Sequence, residues 1–108
     1  MSIRNCAEFH IIGNVANIAK LEKVTKVTIA ANLRTKKNNN WEDDPHFNTV
    51  NIWDKADREY IDGHIQKGDL VRAIGRVRES SYQDANGEKH YVVDLHAKDF
   101  ARLAKKGE

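Results

Sequence analysis

Apolar and polar residues alternate in five stretches of this chain, and in a sixth the apolar ones recur at helical spacing. Phe9 to Ile18 reads as a first strand broken by Gly13-Asn14. Glycine inside a strand marks a bulge or sharp bend. After a charged turn, Val24 to Arg34 forms a second strand, with Val27, Ile29, Ala31 and Leu33 on one face and Thr28, Ala30, Asn32 and Arg34 on the other. Lys36 to Pro45 reads as a polar loop holding Asn38-Asn39-Asn40, Trp41 and the acidic trio Glu42-Asp43-Asp44. Phe47 to Trp53 is the third strand. From Asp54 to Gly68 the signals are helical: Asp54 suits an N-cap, Ala56, Tyr60, Ile61 and Ile65 form an apolar stripe, and Gly68 suits a left-handed stop. Leu70 to Arg78 alternates again, with Gly75 as a bend. Asn86-Gly87 marks a tight turn into a last strand, His90 to Ala97. The end, Lys98 to Glu108, is charged and is expected to fray. The expected division is a domain over residues 1–98 and a short charged tail over 99–108.

Three strands, a helix and two more strands is the order of an OB-fold, a mainly β, five-stranded Greek-key barrel with one helix between strands three and four. Gly13 and Gly75 supply the bends that closing a small barrel requires.

The third strand carries the most informative chemistry. Side chains alternate across a strand, so Asn48, Val50 and Ile52 point one way and Phe47, Thr49, Asn51 and Trp53 the other. Val50 and Ile52 mark the core face. Phe47 and Trp53 are then left on a mainly polar face, about 20 Å apart at 3.3 Å per residue. Such a pair commonly packs in a core or a subunit contact. On a polar sheet face it also suits the stacking of single-stranded bases.

Charge narrows the choices. The chain has 108 residues, enough for one domain with its own core. Eighteen basic residues against 16 acidic leave a net charge of only +2, so bulk charge cannot carry phosphate binding and any nucleic-acid site must be local. Lys36 and Lys37 open the loop after strand two, and Arg72, Arg76 and Arg78 share a face of strand four; Arg76 and Arg78, nearest the hairpin, are the better candidates for phosphate contact. Trp41 is open to stacking or to packing, and its acidic neighbours read as solvated loop. Cys6, the single cysteine, excludes an internal disulfide and reads as a small semi-buried residue. The histidines show no metal-ligand spacing, and no Gly-rich phosphate loop occurs. An enzyme, a metal and a cofactor are therefore not expected. No apolar run approaches the ~20 residues of a membrane span, and the N-terminus lacks a secretory stretch, so the default is a soluble, cytoplasmic protein with no membrane partner.

The order of these features resembles the bacterial single-stranded DNA-binding protein family. Phe9-His10-Ile11-Ile12-Gly13-Asn14-Val15 is similar to its opening strand, and Phe47 to Trp53 to its third strand, with the two aromatics swapped. Gln66 to Val71 resembles its lysine-glycine step. Gly75-Arg76-Val77-Arg78 and Tyr82-Gln83-Asp84-Ala85-Asn86-Gly87 are similar to its fourth strand and hairpin, with Tyr82 where the family has Trp. The resemblance covers about Glu8 to Ala97. It departs at Thr35, where the family has an aromatic, at Glu79-Ser80-Ser81, where its hairpin is more basic, and at Lys105-Lys106-Gly107-Glu108, where many members carry an acidic recruiting tip.

The resemblance implies sequence-independent binding and protection of single-stranded DNA in replication, recombination or repair. It implies stacking on Trp53, Phe47 and Tyr82, and association with the nucleoid. It further implies pairing through the first strand, at Glu8, Phe9, His10 and Ile11, into a homotetramer or homodimer. Without the acidic tip, recruitment of repair enzymes through a tail is not expected. The alternative is an OB-fold interaction module, such as a primosomal replication protein, with weak DNA binding.

Overall fold

In a computed structural model, which describes residues 4–107, the chain forms β1 (Glu8–Lys20), β2 (Thr25–Lys37), β3 (Asn40–Ile52), α1 (Lys55–His64), β4 (Leu70–Gln83) and β5 (Lys89–Ala104). Met1–Ile3 and Glu108, the ends of the expected domain and tail, lie outside the described residues. Hydrogen-bonded neighbours run β1-β2-β3-β5-β4, and β4 returns to β1, so the sheet closes. This is the five-stranded barrel with its helix between β3 and β4 that the element order predicts.

Closure depends on β1 changing partners. Glu8 to Asn14 pair with β4, and Asn14 to Lys20 with β2. The switch falls at Gly13-Asn14. A Cβ on Gly13 would overlap the Ala30 carbonyl oxygen and stand 2.8 Å from its carbon. Only a residue without a side chain lets the two backbones approach this closely. Gly75 does the same on β4: the β4–β5 register shifts between Ile74 and Gly75, and a Cβ there would overlap the His96 carbonyl oxygen.

Alternation fills the interior. Val27 and Ile29 of β2, Val50 and Ile52 of β3, Val71 and Ala73 of β4 and Ile61 of α1 are all fully buried. Each large aliphatic side chain so buried contributes about 1.5–3 kcal/mol. Helix α1 begins where Asp54 accepts the Asp57 N–H at 3.1 Å. It ends at His64, four residues short of Gly68; Ile65 is already extended, with its N–H on the Ile61 carbonyl. Gly68, at φ +97°, serves instead the turn that follows, where Asp69 N–H reaches the Gln66 carbonyl. Ala56 is exposed, so the helix's buried stripe is narrower than its sequence suggests.

Three expectations are corrected. Residues 36–45 are not a loop. β2 and β3 stay paired from Thr25↔Ile52 out to Lys37↔Asn40, and Asn38 and Asn39 form the turn with φ of 53° and 65°. A two-residue hairpin turn of the favoured hand needs positive φ at both positions, which asparagine tolerates. Together with the β4–β5 hairpin this arm extends the molecule. The radius of gyration is 16.4 Å, against about 13 Å for a compact chain of this length. Secondly, Cys6 is exposed rather than semi-buried. Thirdly, the last strand continues past Ala97 to Ala104, and Phe100 packs in the core opposite Ala73. The boundary at residue 98 therefore cuts through the barrel.

Asp69 ties the C-terminal end down. Its buried carboxylate accepts the Gln66 N–H at 2.8 Å and the Lys106 N–H at 3.0 Å, with Arg102 Nη1 at 3.8 Å. Arg102 also donates to the His64 carbonyl, at the end of α1. The Gln66 N–H, followed by the Lys106 N–H and the Arg102 charge, holds the Asp69 carboxyl below its ordinary range. Asp69→Ala should cost about 2–3 kcal/mol, since bonds to a charged acceptor are worth roughly 1.5–3 each and two donors would be stranded. A carboxyl depressed by folding stabilises fully above the ordinary aspartate pKa of about 4 and loses that contribution as pH falls through the folded value. Urea denaturation should therefore show the gap between parent and variant closing in acid.

Candidate nucleic-acid interface

One outer face of the β2–β3 ladder runs the length of the arm. Trp41, Asp43, Pro45, Phe47, Thr49 and Asn51 lie on it, opposite Lys36, Arg34, Asn32, Ala30, Thr28 and Lys26. The buried Val27, Ile29, Val50 and Ile52 belong to the other side, which fixes this face as the outer one. Its contacts are lateral. The Thr28 and Thr49 hydroxyls are 2.8 Å apart, Lys26 Nζ donates to Asn51 Oδ1 at 2.8 Å, and the Arg34 guanidinium lies 5.7 Å from the Trp41 ring centre. Trp41, Phe47 and Trp53 are 59%, 61% and 52% exposed, so none of them is part of the core. They stand six residues apart, about 20 Å per step for the extended stretches.

Trp53 lies one residue beyond β3, so a side chain holds it rather than the ladder. Its indole N–H donates to His96 Nδ1 at 2.9 Å, with the ring centres 6.0 Å apart. His96 stands opposite Arg76 on β4 and beside Asn51 of β3. Around this seam opens a groove of about 590 Å³ lined by Trp53, Asp54, Arg76, Arg78, His96 and Lys98. An adjoining groove of about 520 Å³ shares Arg76, Arg78, His96 and Lys98 and is walled by Arg4 to Glu8.

The fold thus gathers Trp53, Arg76 and Arg78, as their positions in the sequence suggest. It adds His96, Lys98, Lys26 and Arg34, which the sequence reading missed. Lys98 is the extra residue where the β4–β5 register steps from Ala97 to Asp99. A bulge of this kind re-aims a side chain. The long alternation of β2 is the signal that would have found Lys26 and Arg34.

Tyr82 shares the outer face with Arg76 and Arg78, at the far end of the second arm. It is 55% exposed and stacks on His90 at 5.2 Å. His90 is held by Asp84 at 2.7 Å, and Asp84 also accepts the Asn86 and Glu88 N–H groups. The His90 bond, ahead of the Glu88 N–H, holds the Asp84 carboxyl below its ordinary range. The ligating atoms of Asp84, Glu88 and His90 lie within 4.8 Å of one another. Here Asp84 and His90 clasp the turn.

Other candidates fall away from the groove. Arg72 reaches Asp99 Oδ2 at 3.4 Å, lower on the barrel. Lys36 faces the aromatic side of the arm, whereas Lys37 lies opposite Asn40 on the reverse face. The acidic trio is split by the strand: Glu42 and Asp44 lie on the reverse face, where Asp44 bonds His46 at 3.0 Å, and Asp43 stands across from Arg34.

At β1, Glu8 to Gly13 pair with β4 on one edge and have no strand partner on the other among the described residues. Phe9, expected at a subunit contact, is instead buried in the chain's own core, because alternation turns it inward. Glu8, His10 and the 48%-exposed Ile12 face out, and Ile11 is partly buried against the core.

A model of the single-strand binding protein family matches residues 7–103. The chain is 33% identical over 81 residues to single-stranded DNA-binding protein 1 of Clostridium acetobutylicum, covering 75% of this chain and 72% of that protein. It is 33% identical over 76 residues to the single-stranded DNA-binding protein of Streptococcus pneumoniae, covering 70% of this chain and 47% of that one. It therefore spans about three quarters of the first relative and about half of the second. Among solved structures it is similar to the Plasmodium falciparum SSB in complex with ssDNA, with a TM-score of 0.76 at 18% identity over 95% of this chain and 99% of that one, a likeness of fold.

Proposed function

The chain belongs to the single-strand binding protein family, and on that footing we propose that it binds and protects single-stranded DNA without regard to sequence. The observation that carries the reading is the row of exposed aromatics Trp41, Phe47 and Trp53 on the outer face of a closed barrel, beside the Arg76–Arg78–Lys98 groove. Bases stack on rings whatever their identity, and cations that track the backbone carry no sequence information either. Trp53, Phe47, Trp41 and Tyr82 stack bases. Arg76, Arg78, Lys98, Lys26, Arg34 and Lys36 meet phosphates. Arg72 pairs with Asp99 and Lys37 lies on the reverse face of the arm, so both rank below these.

The role is one of binding, in replication, recombination or repair, in the cytoplasm on nucleoid DNA. Among the described residues no helix is long and apolar enough to cross a membrane. The free edge of β1 offers unpaired N–H and C=O groups for a second copy, through Glu8, His10 and Ile12, in a homotetramer or homodimer.

Neutralising Arg76 and Arg78 together should weaken all oligonucleotides alike. The slope of log affinity against log salt should flatten by about 0.7 for each lost phosphate contact. Arg72→Ala should leave the slope unchanged. Oligo-dT titrations at several salt concentrations read both. An unaltered slope in the double variant would return these arginines to an ordinary solvated strand face.

A further inference from the structure

Trp53 has one hydrogen-bonding atom, the indole N–H, which can only donate. It donates to His96 Nδ1. An imidazolium carries protons on both nitrogens, so this bond exists only with His96 neutral and protonated on Nε2. His96 itself is held firmly, at the seam where β3, β4 and β5 meet through Asn51, Arg76 and its own backbone.

We propose that His96 is a positioning residue for single-strand binding: the neutral imidazole holds the Trp53 ring in place for a base, and protonation of Nδ1 releases it. This rests on reading the groove as the single-strand site. Affinity then falls in mild acid, even though the protein gains positive charge there.

The groups that face His96 make it the switch. Arg76 and Arg78 come from β4, and Lys98 from β5. Asp54 comes from the start of α1, and Arg4, Cys6 and Glu8 from the N-terminal segment. Arginine and lysine stay charged, and ordinary carboxylates stay ionised, over the interval from about pH 5 to 8 in which imidazoles change charge. The Cys6 thiol is pushed up by its bond to Glu8 and stays protonated there. Among the described groups lining the groove, His96 is the one imidazole.

The test uses a Trp41→Phe background, which leaves Trp53 as the sole tryptophan of the two in the chain. Without DNA, Trp53 emission should change in one step as the solution is made acid. The step should vanish in His96→Asn, whose amide oxygen stands where Nδ1 does and accepts from the indole but does not protonate. With oligo-dT, the parent should bind about threefold to tenfold more weakly at pH 5.5 than at pH 8, part of the value of one base stack. His96→Asn should keep one affinity from pH 8 into acid. His96→Phe should be weak at both. The other histidines are present in every variant and cancel in the comparison. The proposal is overturned if parent and His96→Asn share one emission profile. It is also overturned if acid tightens binding and steepens the salt slope by about 0.7, the mark of a phosphate contact. If the emission step is present and no form binds oligo-dT, the clamp stands and the single-strand reading fails.

Discussion

With Trp53 replaced by alanine, affinity for single-stranded DNA is expected to fall about tenfold or more, the worth of a base stack of 1–3 kcal/mol, while the barrel stays folded. The ring is more than half exposed and gives the core nothing that its neighbour Ile52, fully buried, does not already supply. Its one hydrogen bond is to the half-buried His96 side chain, at the mouth of the groove rather than in the core. Removing it should shift the urea midpoint only slightly. A midpoint that collapses, with the remaining folded protein binding normally, would make Trp53 a packing residue and move the site elsewhere.

Gly75→Ala is expected to have the largest effect on stability, about 3 kcal/mol or more, at or beyond the upper end of the usual cost of overpacking, because the atoms it meets cannot yield. The added methyl group would overlap the His96 carbonyl oxygen and stand 2.8 Å from the Ala97 Cα. Both are backbone atoms, so no rotamer change relieves the clash. β4 would have to leave β5 at the seam that also places Arg76 against His96, so binding should fail with folding. Gly63→Ala is the control. It sits in α1 with nothing within 4 Å of its would-be Cβ, and should stabilise by about 0.5–1 kcal/mol through helix propensity. If denaturation found the two variants alike, the close approach at Gly75 would not be what closes the barrel.

What the sequence revealed follows from where one side of an element is buried. Val50 and Ile52 expose the faces of β3, because a strand with one wet face must alternate. The two glycine bends were legible for a similar reason: a missing side chain inside an apolar strand needs a cause. The β2–β3 arm was hidden because both of its faces meet solvent, so no apolar alternation survives from Lys36 to Pro45. Its signal is the paired asparagines of the turn. The end of β5 was hidden by charge: Lys98, Asp99 and Arg102 surround the single core residue Phe100. The anchor of that end, Asp69, lies 37 positions from Lys106. His96 and Lys98 enter the groove through the register between β4 and β5, which shifts beside Gly75. No local pattern within either strand encodes that pairing.

The central claim is that exposed rings and a local cluster of cations bind single-stranded DNA on a chain of almost no net charge. Intrinsic tryptophan fluorescence during titration with oligo-dT, at two salt concentrations and pH 8, tests it most directly. The account predicts saturable quenching, with affinity falling as salt rises at about 0.7 in log-log slope per phosphate contact. Emission that stays unchanged to saturating oligonucleotide at low salt, from protein shown to be folded, would contradict it.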